Sequence, residues 1–173
     1  MKLFVTGQRD DGTSAFLDER LLQPIVAQGF GTLENVPLWA AASLPSLPYT
    51  GTAPALHEFF PPPGAFRYFY LTIRPEEAEA ALPTDEDLTN FDRQFPELLS
   101  KYEADTPGMH TTDTVDFIAI VEGTIVLDLG DVGERTLTQG DTLVQHGVRH
   151  RWRNDGSKPA TLLVFMLGVA RQR

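Results

Sequence analysis

Two histidines and one aspartate, His110, Asp116 and His150, are the side chains whose types and positions best suit chemistry inside a fold. In a regular strand alternate residues point the same way, so His110, Thr112, Thr114, Asp116, Ile118 and Ile120 would share one face. His150 lies on the side of its own run that carries Val148 and Trp152, with Arg149, Arg151 and Arg153 opposite. Polar groups on the same side as large apolar ones are the pattern of a cavity with apolar walls and a few convergent polar groups. The plain alternative is that each inward histidine is a hydrogen-bonded part of the core. Forty residues separate His110 from His150, so only the fold can bring them together.

The elements that must position these residues read as strand after strand over 109–168. Thr112–Val121, Thr124–Leu129, Glu134–Thr138, Thr142–His146, Val148–Arg153 and Ala160–Leu167 are separated by Glu122-Gly123, Gly130–Gly133, Gly140-Asp141, Gly147 and Asn154–Lys158. Short strands at regular spacing with Gly, Asp and Asn turns predict an all-β sandwich or barrel. Val115, Phe117, Ala119 and Val121 make the second face of that strand apolar as well, so something must cover its outside. The N-terminal strands or a second subunit are the candidates.

Upstream, Lys2–Thr6 and Ser14–Leu17 are candidate strands. Over Asn35–Pro54, Pro37, Pro45, Pro48 and Pro54 forbid a long helix, because each removes a donor and crowds the preceding turn. Pro61-Pro62-Pro63-Gly64 predicts a rigid turn into a strand over Phe66–Ile73. The period then changes. Glu76–Leu82 is short and helix-prone, and Thr84 before Asp85, Glu86 and Asp87 predicts an N-cap followed by acids that favour a helix start. Leu88, Phe91, Phe95 and Leu98 form one apolar stripe that Pro96 should split, which predicts an amphipathic helix packed on the barrel.

The chain of 173 residues suits one domain, with 1–75 as N-terminal strands and Pro-rich loops, 76–105 as a helical insertion and 107–168 as the barrel core. A formal charge of -10 argues against nucleic acid as a partner. The absence of cysteine excludes disulfides, thiolate zinc sites and a cysteine nucleophile. The N-terminus lacks the apolar core of a signal peptide, and no apolar run approaches the ~20 residues that span a bilayer. A soluble cytoplasmic protein without a membrane partner is the expectation.

Pro107-Gly108-Met109-His110-Thr111-Thr112-Asp113-Thr114-Val115-Asp116 followed by Gly123 resembles the first motif of the cupin family. Gly140-Asp141, then Gly147, His150, Trp152 and Asn154, resembles the second. These matches cover about residues 107–154, and the whole chain is similar in layout to the small one-domain (cupin 2, RmlC-like) cupins. The departures are specific. Thr112 stands where the first motif has its second His, Asp116 where it has Glu, and Gln145 where the second motif has Pro.

The resemblance implies a double-stranded β-helix (jelly-roll barrel) with an N-terminal β extension and one or two short helices. It also implies His110, Asp116 and His150 as catalytic and metal-ligating residues, a two-histidine, one-carboxylate set suited to Fe, Mn, Ni or Zn. The expected pocket adds Thr112, Gln145, His146, Trp152, Ile118 and Met166. His146 or Asp113 could substitute as a ligand, Trp39 and Tyr68 could help wall the pocket, and His57 reads as a surface residue. Arg67 and Arg74 suit salt bridges or a substrate carboxylate. A metal-free pocket with His150 and Asp116 as acid and base is the alternative. The implied function is an enzyme for a small organic molecule, aromatic or polyketide-like, by oxygenase, decarboxylase, isomerase or cyclase chemistry. A small-molecule-binding module without catalysis is the second reading. A homodimer is expected, because sheet edges and outer faces need cover.

Overall fold

The computed structural model describes residues 1–27, 33–49, 51, 56–75 and 83–172. The helix-prone stretch Glu76–Leu82 and Pro54 lie outside the described residues. The strands are β1 (Lys2–Gln8), β2 (Ser14–Leu21), β3 (Ile25–Val26), β4 (Leu33–Ala41) and β5 (Phe66–Ile73). Helices α1 (Asp85–Gln94) and α2 (Leu98–Lys101) follow. The chain then continues as β6 (Tyr102–Glu103), β7 (Thr106–His110), β8 (Thr114–Glu122), β9 (Thr124–Asp128), β10 (Glu134–Thr138), β11 (Thr142–His146), β12 (Arg151–Arg153) and β13 (Ala160–Gly168).

A six-stranded sheet, in the order β11-β8-β13-β5-β4-β3, forms one wall. A three-stranded sheet, β10-β9-β12, forms the other. A bridge between His110 and His150 attaches the β6-β7 pair to β12 and extends that second wall. Among the described residues every strand pairing is antiparallel, and the arrangement is that of a jelly-roll sandwich.

Alternation decides what each wall turns inward. Along β8, Thr114, Asp116, Ile118 and Ile120 are buried, whereas Phe117 and Val121 are exposed. Along β13, Leu162, Val164 and Met166 face in. The inner set forms one apolar cluster with Phe69 of β5 and Ile125 of β9. The outer row runs in register through Val144, Phe117, Phe165, Tyr68 and Trp39, so both faces of this wall are apolar.

The expected strands at Phe66–Ile73, Glu134–Thr138 and Thr142–His146 match to the residue. Two differences have local causes. The run that ought to carry His110 and Asp116 together breaks at 111–113, so β7 and β8 are separate strands. Over Asn35–Pro54, where the prolines exclude a helix, β4 is a strand that keeps Pro37 at a register shift between Pro37 and Trp39. A bulge is where a strand tolerates a residue that cannot donate to the ladder.

Helix α1 starts as expected. Thr84 accepts from the Asp87 N–H, and the Asp87 side chain accepts from the Thr84 N–H in return, a reciprocal cap. Pro96 separates α1 from α2, and Phe91, Phe95 and Leu98 are buried in the barrel cluster. Leu88, the fourth member of the stripe, remains 38% exposed.

Gly123, in the turn from β8 to β9, has a φ of +80°, and a Cβ there would lie 2.5 Å from the Pro159 carbonyl oxygen. Both the positive φ and the backbone contact exclude a side chain. Gly123→Ala is therefore expected to destabilise the fold by about 2 kcal/mol or more. A urea-unfolding midpoint equal to that of the parent protein would contradict this.

Candidate functional site

His110 and His150 are neighbours across the bridge that joins β7 to β12. Each backbone N–H donates to the other's carbonyl at 2.9 Å, and the two ring centroids are 4.3 Å apart. The His110 Nδ1 lies 2.9 Å from the Gly108 carbonyl, and the His150 Nδ1 lies 2.8 Å from the Val148 carbonyl. A carbonyl can only accept, so each Nδ1 carries the hydrogen and each neutral ring keeps its lone pair on Nε2.

Gln145 then decides what His150 can do. Its Nε2 lies 3.0 Å from the His150 Nε2 and 3.4 Å from the Asp116 Oδ2. Both neighbours are acceptors, which orients the amide with its NH2 toward them. β11 pairs with β8 so that Gln145 stands directly opposite Asp116. Asp116 Oδ1 and Gln145 Oε1 are buried without a hydrogen-bond partner. Thr112 and Thr114 pair hydroxyl to hydroxyl at 2.8 Å.

His110, Thr112, Asp116 and His150 form the polar end of a cavity of about 590 Å³. Ile118, Leu162, Val164 and Met166 make one wall, Trp152 another, and Phe91, Leu98 and Leu99 bring the helices to it. Phe60 and Tyr102 flank the His110 ring at 5.8 and 5.4 Å, and Trp152 meets His150 edge-on at 6.4 Å. A volume in this range accommodates a small organic molecule.

Burial governs the electrostatics. Asp116 is only 4% exposed, and desolvation pushes its carboxyl up to about 6 against opposing hydrogen bonds from Thr114 and Gln145. Desolvation and the adjacent His110 bring His150 down to about 4, while the Val148 carbonyl acts in the other direction. His110 is lowered, mainly by desolvation, with Gly108 and Glu103 opposing. Burial raises Tyr102 to about 12. At neutral pH both imidazoles are uncharged, and the carboxylate carries the charge of the cluster.

Of the expected pocket residues, Thr112, Ile118, Trp152 and Met166 line the cavity, and Gln145 sits behind it, bonded to Asp116 and His150. His146 does not join them: it is exposed, because β11 alternates and Gln145 takes the inward position. Asp113 is held at the surface by Arg171 at 2.5 Å. Trp39 and Tyr68 lie on the outer face, Trp39 under Arg20 and beside Tyr49, Tyr68 beside Phe165. His57 is exposed, as expected. Arg74 pairs with Glu34, whereas Arg67 donates to the Phe59 and Glu58 carbonyls. Arg149, Arg151 and Arg153 are ion-paired to Glu103, Asp128, Glu134 and Asp155 rather than free. Phe60 and Tyr102 went unread in the sequence. Their signals are slight, an aromatic pair before the proline run and a tyrosine at the end of a helix.

A metal is tested directly by these donors. Among the described residues no three His, Asp or Glu side chains are gathered so as to hold a metal ion. Thr112 offers a hydroxyl engaged with Thr114 in place of an imidazole. The His150 lone pair is already bonded to Gln145, and Asp116 is reached through the same amide. The expected set of His110, Asp116 and His150 does not fit a metal in this arrangement.

Residues 100–166 match the Cupin domain family. A stretch of 48 residues, 28% of this chain and 27% of the relative, is 42% identical to Oryzines biosynthesis cluster protein J of Aspergillus oryzae. A stretch of 58 residues, 34% of this chain and 31% of the relative, is 36% identical to Phomopsin biosynthesis cluster protein C' of Diaporthe leptostromiformis. The chain thus spans less than a third of the length of these curated relatives. Among solved structures it is similar to a sugar phosphate isomerase of the cupin superfamily from Silicibacter pomeroyi, at 15% identity over 84% of this chain and 71% of that one, with a TM-score of 0.46. It is also similar to a Cupin 2 conserved barrel domain protein from Salinispora arenicola, at 12% identity over 87% and 90%, with a TM-score of 0.44. Among the described residues no helix is long and apolar enough to cross a membrane.

The buried carboxyl makes a stability prediction. A carboxyl whose folded pKa stands above its unfolded value of 3.8 holds its proton more tightly when folded. Its penalty is absent below that value, grows as pH rises toward about 6, and is complete above it. Asp116→Asn removes the penalty, so the variant should gain about 2–3 kcal/mol at most at neutral pH, and little at a pH near the unfolded value. Urea unfolding at the two pH values checks this; an equal shift at both, or a loss at neutral pH, would contradict it.

Proposed function

We propose that this cupin processes a small, largely apolar organic molecule in the cavity, and that the polar end acts by proton transfer between side chains and ligand. The observation that carries the reading is the Gln145 amide, whose N–H groups engage the His150 lone pair and one oxygen of Asp116. A divalent Fe, Mn, Ni or Zn ion would supply Lewis-acid chemistry to a cupin that binds one. Here His150 could ligate only if Gln145 turned away, which would also strip Asp116 of that donor. On the residues that line the cavity, the open acceptors of the cluster are the His110 Nε2 and the Asp116 Oδ1. A carboxyl near 6 titrates close to neutral pH, which suits a general base. The apolar walls exclude water and hold the body of the ligand, and aromatic or polyketide-like molecules fit that lining. The names of the matched relatives, both biosynthesis cluster proteins, support small-molecule processing.

N-Phenyl-1-naphthylamine, an uncharged apolar fluorophore, should bind one per chain in the micromolar range with enhanced emission. Val164→Trp within the cavity and Leu99→Trp at its helical side should each abolish that binding. Folded variants that bind the probe as well as the parent would overturn the assignment of the cavity. Protein purified without chelator or affinity tag should carry substoichiometric metal. Stoichiometric metal that is lost in His150→Ala would overturn the metal-free reading.

The same protein is proposed to act as a homodimer through the outer face of the larger sheet. Phe117, Val121 and Val144 are 48%, 40% and 52% exposed there, and contiguous exposed apolar surface marks an interaction site. Light scattering should give a dimer mass for the parent and a monomer for Phe117→Glu; a monomeric parent would contradict the assignment.

A further inference from the structure

The polar end of the cavity has a one-sided hydrogen-bonding character. Both Nδ1 hydrogens are given to backbone carbonyls. Both N–H groups of the Gln145 amide are given to His150 and Asp116. No described group donates to the His110 Nε2, and Asp116 Oδ1, on a side chain only 4% exposed, has no partner. Both residues line the cavity. Gln145 Oε1 is a further buried acceptor without a partner, although Gln145 does not line the cavity. The bond between the Thr112 and Thr114 hydroxyls uses one of their two hydrogens, and Thr114 also bonds the Asp116 carboxyl, whose Oδ1 still lacks a partner. The donors that line the same space are the Tyr102 hydroxyl and the Trp152 indole N–H, on the rings flanking His110 and His150.

Buried acceptors without donors are costly unless a ligand supplies the hydrogen. A carboxylate ligand offers acceptors only, and would set one anion against another in a low-dielectric pocket. A hydroxyl does both tasks, donating to Asp116 or His110 while its oxygen accepts from Tyr102 or Trp152. From this arrangement we infer that the cavity selects a neutral hydroxyl-bearing molecule, a phenol or enol on an apolar body, and discriminates against the corresponding carboxylic acid. The inference rests on the cavity proposed above as the ligand site. A divalent cation would satisfy the same acceptors, so the test separates the two.

The test uses the full chain, stripped of metal by chelator and dialysis, at neutral pH, with ligand binding followed by calorimetry. The probes are 2-naphthol, 2-naphthoate and naphthalene, which share one apolar body. The expected order is 2-naphthol tightest, by about tenfold or more over both others. In Asp116→Asn, whose amide can donate, the preference for 2-naphthol over 2-naphthoate should fall by about tenfold. Naphthalene binding equal to 2-naphthol, or 2-naphthoate binding equal or tighter, would overturn the inference and leave the cavity assignment intact. Failure of all three to bind would overturn both. Stoichiometric binding of Zn²⁺ or Mn²⁺ to the stripped protein that displaces 2-naphthol would assign the acceptors to a cation and overturn it too. The comparison of the three probes on the parent protein stands even where the variant does not fold.

Discussion

The two backbone hydrogen bonds between residues 110 and 150 decide where chemistry can occur in this fold. They attach β7 to β12 and hold the imidazoles with centroids 4.3 Å apart. At that separation, and buried, both rings cannot be charged together. The local carbonyls of Gly108 and Val148 take the two Nδ1 hydrogens, so the tautomers follow from backbone placed two residues upstream of each ring. Lone pairs on Nε2 are then available beyond the bridge, and the chemistry depends on which group meets each of them.

For His150 that group is Gln145, and the pairing of β11 with β8 makes it so. Register puts Gln145 opposite Asp116, and strand alternation sends His146 outward. One amide thereby ties an imidazole from the smaller sheet to a carboxylate from the larger one. The arrangement is not the most stable use of these positions. A carboxyl driven up to about 6 and two orphaned acceptors oppose folding, and the apolar cluster of Ile118, Ile120, Ile125, Leu162 and Val164 has to outweigh them. Polar groups left incompletely satisfied in an otherwise consistent fold concentrate where function requires them.

Most of the framework was legible because it depends on short-range rules. Alternation in β8 put Asp116 on the inward face with Thr114, Ile118 and Ile120, which are all buried. Thr84 and Asp87 marked the helix start, and Pro96 its division. The histidine pair was legible only through the family spacing, since parity cannot be counted across the break at 111–113. Other features depend on partners distant in sequence. Trp39 and Tyr68 are aromatic residues in a sheet that is apolar on both faces, so composition could not say which face they take. Phe60 and Tyr102 reach His110 from segments with no inward periodicity of their own. Arg149, Arg151 and Arg153 pair with acids that lie up to 46 residues away in sequence.

The three departures from the family motifs become one physical change once these contacts are known. Asp116 is one methylene shorter than glutamate and stands opposite Gln145 of β11. Gln145, where the motif has proline, supplies an amide with two donors for the two acceptors it meets. Thr112, where the motif has a second histidine, pairs its hydroxyl with that of Thr114. Together they form a network in which the amide lies between carboxylate and imidazole, and the acceptors left open on His110 and Asp116 belong to residues that line the cavity.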